Sequence, residues 1–111
     1  MKVLVTGATG YVGGRLVPRL LDAGHEVRVM VRDPRRIAGR PWAGAVETVA
    51  ADVERPETLA GALAGVDAAY YLVHGMIAQK ARYAEADRLS AINMRTAAEQ
   101  AGMTQIVYLG G

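Results

Sequence analysis

The chain has 111 residues, 51% of them apolar, 22% charged and 5% aromatic, with 13 glycines, 4 prolines, no cysteine and a formal charge of 13 − 11 = +2. That size allows one domain whose core buries roughly 60 to 70% of the unfolded chain's surface, and it leaves no room for separate cofactor and substrate domains. Without cysteine, disulfide scaffolds, thiolate zinc sites and cysteine nucleophiles are excluded, no oxidising compartment is called for, and the cytoplasm is the expected location.

Five short segments rich in Val, Ile, Leu and Tyr and bounded by Gly, Asp or Pro read as strands: Lys2–Thr6, Glu26–Val31, Val46–Ala50, Asp67–Val73 and Gln105–Leu109. Helical spacing fills the intervals at Tyr11–Ala23, Pro56–Leu63 and Arg82–Ala101, with a brief helical turn at Pro34–Ile37. In the last long helix Leu89, Ile92, Ala97 and Ala101 can share one apolar face. Gly24 and Gly102 stand where left-handed C-caps are needed, and Pro56 opens its helix at a position where an N–H is not missed. Pro18, about two turns into the first helix, removes a backbone hydrogen bond and is expected to bend or shorten that helix. Strands alternating with helices through short loops predict an α/β fold, a parallel sheet with right-handed crossovers and helices on both faces.

The densest information lies in Val5-Thr6-Gly7-Ala8-Thr9-Gly10-Tyr11-Val12-Gly13-Gly14. Glycines at 7, 10 and 13 form a spacing that is weak alone, but here it follows the first strand directly and opens the first helix, the context a dinucleotide site requires. Gly7 permits a sharp exit from the strand, Gly10 leaves space for a pyrophosphate, and Gly13 allows close packing of helix on strand. The anion then meets the helix N-terminus, where the N–H groups of Tyr11 and Val12 are the expected donors and Thr9 lies alongside. A P-loop is excluded, because Gly13 and Gly14 lead into Arg15 and Leu16 rather than Lys and Ser or Thr.

In NAD sites an acid roughly 20 residues beyond the glycines accepts hydrogen bonds from the adenosine ribose. Here the position 32 − 13 = 19 residues beyond Gly13 holds Arg32, which cannot accept a hydroxyl hydrogen but can grip a 2′-phosphate. The expected cofactor is therefore NADP. Asp33, the next residue, would serve NAD if the strand ended one position later, and Arg35, Arg36 and Arg40 make the neighbourhood cationic unless they form only a solvated face. Asp52 and Val53, just past the third strand, should border the adenine; the alternative for Asp52 is to stabilise the turn before Pro56. His74, at the end of the fourth strand, is a candidate for contact with the cofactor ribose or nicotinamide and for general acid or base, against a loop histidine with no role. Asn93, in mid-helix, either bridges to a neighbouring loop or is exposed. No metal-ligand cluster is present in the sequence.

The run Thr6-Gly-Ala-Thr-Gly-Tyr-Val-Gly13, the cation at Arg32, Asp52, and Val107-Tyr-Leu-Gly-Gly111 resemble the N-terminal half of an atypical or extended short-chain dehydrogenase/reductase. The TGATGxxG form is similar to that of NmrA-like proteins and NAD(P)-dependent sugar epimerase/dehydratases. The resemblance implies a Rossmann-like, three-layer domain with strand order 3-2-1-4-5, hydride transfer to or from nicotinamide, and catalysis by a Ser or Thr after strand five and a Tyr-x-x-x-Lys on the following helix. None of these catalytic groups is here: four residues after Tyr70, Tyr71 and Tyr83 stand His74, Gly75 and Asp87, and Tyr11, followed at that spacing by Arg15, belongs to the glycine turn. Residues 1–111 are thus expected to be the NAD(P)-binding portion of a longer oxidoreductase or epimerase, inactive by itself, with a small complete domain or one completed by a second copy as the alternative. A non-catalytic NmrA-like module that reports redox state or steadies a partner is the competing function. The expected partners are the dinucleotide and a small-molecule substrate, with a homo-oligomer left open. Membrane insertion is not expected, because no apolar run approaches the ~20 residues of a bilayer span. Nucleic acid is not expected either, because the pI of 9.2 rests on two excess charges, with acids interleaved among the arginines.

Overall fold

All five expected strands form in the computed structural model, which describes residues 1–8, 11–73, 80–103 and 105–110. Strands β1 (Lys2–Thr6), β2 (Glu26–Val31), β3 (Glu47–Ala50), β4 (Ala68–Val73) and β5 (Gln105–Gly110) lie within one residue of their predicted limits. They make one parallel sheet in the order β3-β2-β1-β4-β5. Helices α1 (Tyr11–Asp22), α2 (Leu59–Leu63) and α3 (Lys80–Gln100) lie in three of the four crossovers and 3₁₀ turns in the one from β2 to β3, giving the Rossmann-like order expected.

Alternation along the strands assigns the two faces. Val3 and Val5 of β1 and Val27, Val29 and Val31 of β2 pack with Val17 and Leu20 of α1, and with Ile37 and Trp42 from the connection after β2. Leu4 and Met30 point the other way, onto Leu59, Ala62 and Leu63 of α2 and onto Met94 and Ala98 of α3. Burying a side chain such as Leu4 or Leu59 in full contributes about 1.5–3 kcal/mol, so both layers are held chiefly by apolar burial.

Arg28 is the exception on the second face. Only 8% exposed, it is accommodated because every group it displaces from water is repaid: Nη1 donates to the carbonyls of Ala62 and Ala64, each at 2.8 Å, and Nε pairs with Glu47 on β3. Those carbonyls close the five-residue α2, whose last turn has no helical donors for them. Lys2 adds a second cation to Glu47 at 3.4 Å. The Arg28 hydrogen bond, and after it the neighbouring charges, hold the Glu47 carboxyl below its ordinary range.

Helices α1 and α3 end in the same motif. Gly24 and Gly102 have φ of 89° and 75°, and the following residues, His25 and Met103, donate back to Leu20 and Ala98. Helix α1 continues through Pro18 to Asp22 rather than stopping there. The predicted helix at Pro56–Leu63 is two pieces, a 3₁₀ turn over Pro56–Thr58 and then α2, and a further 3₁₀ turn forms at Ala43–Ala45. Of the apolar face predicted for α3, only Ala97 packs against the core. Ser90, Met94 and Ala98 face the sheet, whereas Leu89 and Ile92 are 51% and 41% exposed and Ala101 is exposed. Among the described residues no helix is long and apolar enough to cross a membrane.

Candidate functional site

The sheet order reverses beside β1: the chain runs outward through β2 and β3, then returns to place β4 on the other flank. Crevices beyond the carboxyl ends of strands at such a reversal are where α/β sheets bind ligands. A cleft opens there. The end of β1 and the residue after it contribute Thr6 and Gly7; the segment that follows β2 contributes Arg32 and Arg36; the loop after β3 contributes Asp52, Val53 and Glu54; β4 adds Tyr71 and Leu72, and α3 adds Ser90.

The glycine turn is shaped as its sequence demands. Gly7 leaves β1 with φ of 77°, a conformation in which an L side chain is strained. A Cβ on Gly13 would stand 2.3 Å from the Gly7 carbonyl oxygen and 2.7 Å from the Ala8 Cα, so the first turn of α1 rests directly on the strand exit. This close approach sets the start of α1 directly against the end of β1, with Val12 52% exposed. Thr9, Gly10 and His74 lie outside the described residues, and Tyr11 opens α1.

Thr6 has a part that the sequence reading did not assign. Its Oγ1 donates to the Tyr70 carbonyl and accepts from the Leu72 N–H, both at 3.3 Å, joining β1 to β4 where the two strands separate. Ser90 was also missed, although its place in the period of the α3 face that meets the sheet could have indicated it.

At the end of β2 the cations and the acid part company. Arg32 and Arg36 line the cleft, and among the described residues neither has a carboxylate within ion-pair range. Asp33 does not line it. Its carboxylate accepts the backbone N–H of Arg35 at 3.1 Å and receives the Arg35 guanidinium at 3.0–3.3 Å, capping the 3₁₀ turn Pro34–Ile37. The Arg35 side chain, then its N–H, and the nearby Arg36 charge keep the Asp33 carboxyl below its ordinary range. Arg40 lies elsewhere, against the first turn of α1, where a Cβ on Gly14 would be 3.4 Å from its Nη1.

Across the cleft, Asp52 stabilises the turn before Pro56, the alternative considered for it. Its Oδ1 accepts the Glu54 N–H at 2.9 Å and its backbone exchanges two hydrogen bonds with Thr58 Oγ1, forming the turn before Pro56, while the residue still borders the cleft. The bridging role considered for Asn93 is present too: Nδ2 donates to the Val53 carbonyl at 2.9 Å and ties the loop to α3.

The chemistry of the lining suits a phosphate-bearing ligand, with Gly7 at the strand exit and the guanidinium groups of Arg32 and Arg36 on one side, and Asp52 and Val53 on the other. Among the described residues no cluster of His, Asp or Glu could hold a metal ion.

Comparisons with known proteins point to the same chemistry. A protein-family model described as NAD(P)H-binding matches residues 7–111. Over 109 residues, 97% of this chain and 33% of the relative, the sequence is 30% identical to the photosystem II assembly factor Ycf39 of Synechocystis sp.. Over 70 residues, 63% of this chain and 18% of the relative, it is 41% identical to a 3-beta-hydroxysteroid dehydrogenase of Mycolicibacterium neoaurum. Among solved structures, the Citrobacter sp. triphenylmethane reductase complexed with NADP(H) superposes with a TM-score of 0.79 at 27% identity, covering 97% of this chain and 36% of that one. The chain thus spans about a third or less of the length of these relatives.

Proposed function

This chain belongs to the NAD(P)H-binding family, and from that premise we propose that it carries the NADP site of a short-chain dehydrogenase/reductase-like oxidoreductase or epimerase acting on a small molecule. When bound, the nicotinamide supplies or accepts the hydride. The chain's own residues bind and orient the dinucleotide. Gly7, Thr9, Gly10 and Gly13 open the path to the pyrophosphate, and the N–H groups of Tyr11 and Val12 receive it at the positive end of α1. Asp52 and Val53 receive the adenine, and His74 meets the ribose or nicotinamide. The groups that carry substrate chemistry belong to the part of such proteins beyond the span matched here.

The observation that carries the NADP assignment is the division at the end of β2. Arg32 and Arg36 line the cleft, and the carboxylate that would select a ribose hydroxyl is held by Arg35. A relative's complex with NADP(H) supports the same reading. The dehydrogenase and reductase among the relatives favour an oxidoreductase over a non-catalytic NmrA-like module.

Calorimetric titration with NADPH and NADH tests the assignment. NADPH should bind at least tenfold more tightly, and Arg32→Ala should remove about tenfold of that preference, the size of one charge-assisted contact, with NADH affinity little changed. Equal affinities that the substitution leaves untouched would overturn it.

A further inference from the structure

Asp33 immediately follows the cleft-lining Arg32, yet it is absent from the cleft wall. Its position is set within four residues. Pro34 fixes the backbone at the start of the 3₁₀ turn, Asp33 Oδ1 caps that turn by accepting from Arg35 N at 3.1 Å, and the cap brings the Arg35 side chain back over the same carboxylate. Arg35 Nε then donates to Oδ1 at 3.1 Å and to Oδ2 at 3.3 Å, and Nη2 donates to Oδ2 at 3.0 Å. Both carboxylate oxygens are engaged by one guanidinium.

We infer that Arg35 is a specificity-determining residue acting through Asp33: by occupying both of its oxygens it keeps an acceptor for ribose hydroxyls out of the cleft and leaves Arg32 and Arg36 to meet the 2′ position. This rests on the NADP reading above. Released from Arg35, Asp33 would stand one residue beyond Arg32 with no guanidinium bound to its oxygens and only the more distant Arg36 charge nearby, repelling a 2′-phosphate and attracting a 2′-hydroxyl. Both effects move the preference toward NADH. Their size is bounded by exposure: the Arg35 side chain is 91% exposed, so the pair is screened by water, and the expected change is about two- to fivefold for each cofactor rather than a reversal.

The test is a double-mutant cycle read by calorimetry with NADPH and NADH on the 111-residue chain, using Arg35→Gln, Asp33→Asn and the double variant. Asn keeps a side-chain acceptor for the cap, and thermal melting verifies that each variant folds. Arg35→Gln should raise NADH affinity about two- to fivefold and lower NADPH affinity by a similar factor. In the Asp33→Asn background the same substitution should leave NADH affinity unchanged. The rise for NADH is the diagnostic arm, because a cation that merely attracted the cofactor's negative charge would, on removal, weaken both. An NADH affinity that falls or stays constant in Arg35→Gln, or a rise that persists with Asn at position 33, would overturn the inference. The wild-type ratio judges the NADP reading separately: equal affinities there would reject that reading, whereas the cycle still reports whether Arg35 masks Asp33.

Discussion

Arg28 lies within β2 and Arg32 just past its carboxyl end, and they meet opposite fates. Toward the amino ends of the strands, Arg28 is buried, donates to two carbonyls of the α2 terminus and shares Glu47 with Lys2. At the carboxyl ends, Arg32 and Arg36 look into a cleft with no carboxylate of the described residues in ion-pair range. Residue type does not distinguish them. What distinguishes them is whether the fold consumes their donors: the closed end turns its cations onto the chain's own oxygens, and the open end leaves Arg32 and Arg36 on the cleft wall, where we propose that they meet the 2′-phosphate.

The hardest strike at the open end is Gly13→Ala. Its Cβ would need the space 2.3 Å from the Gly7 carbonyl oxygen, which only a backbone shift can yield. About 3 kcal/mol of overpacking strain is expected, enough to weaken NADPH binding about a hundredfold in a fluorescence titration. Retained affinity would show that the turn gives way freely. At the closed end, Arg28→Met keeps the volume but strands the carbonyls of Ala62 and Ala64. A loss of about 2–3 kcal/mol in urea unfolding is expected, while the NADPH to NADH ratio of the folded protein stays put. If that ratio moved instead, the separation of the two ends would be wrong. Arg36→Ala should do the converse, lowering NADPH affinity about two- to fivefold at constant stability.

The smallest effect is a pH dependence at the closed end. Glu47 has its carboxyl pKa depressed in the folded chain, so its pairing contributes stability in full above the ordinary value of 4.5, and that contribution is lost as pH falls below it. Glu47→Gln should therefore flatten the decline of the melting temperature on the acid side of pH 4.5 and leave its slope near neutrality unchanged.

The strands and the location of the cleft were legible because alternation of Val and Leu against polar residues and the spacing of Gly7 and Gly13 are local signals, whereas the strand order followed only from the family resemblance those motifs carry. The inner face of α3 was not. Its contact with the sheet is made by Ser90, Met94 and Ala98, small or flexible residues that let the backbone come close, while the larger Leu89 and Ile92 stay outside; side-chain size pointed to the wrong face. Arg28 was illegible for another reason. A charge in a strand reads as an exposed position, and the carbonyls that satisfy it come from residues 34 and 36 places away in the sequence. Asp33 was weighed as an acceptor because it is adjacent to Arg32, and nothing in the pattern foretold that a 3₁₀ turn would fold Arg35 back onto it.

The hydrogen bond from Asn93 Nδ2 to the Val53 carbonyl has a mechanical consequence. It couples the long crossover helix to the rim of the crevice, so tension at one is felt at the other. A nucleoside seated against Val53, as proposed, would damp the opening of α3 around Asn93, and amide exchange there is expected to slow on cofactor addition.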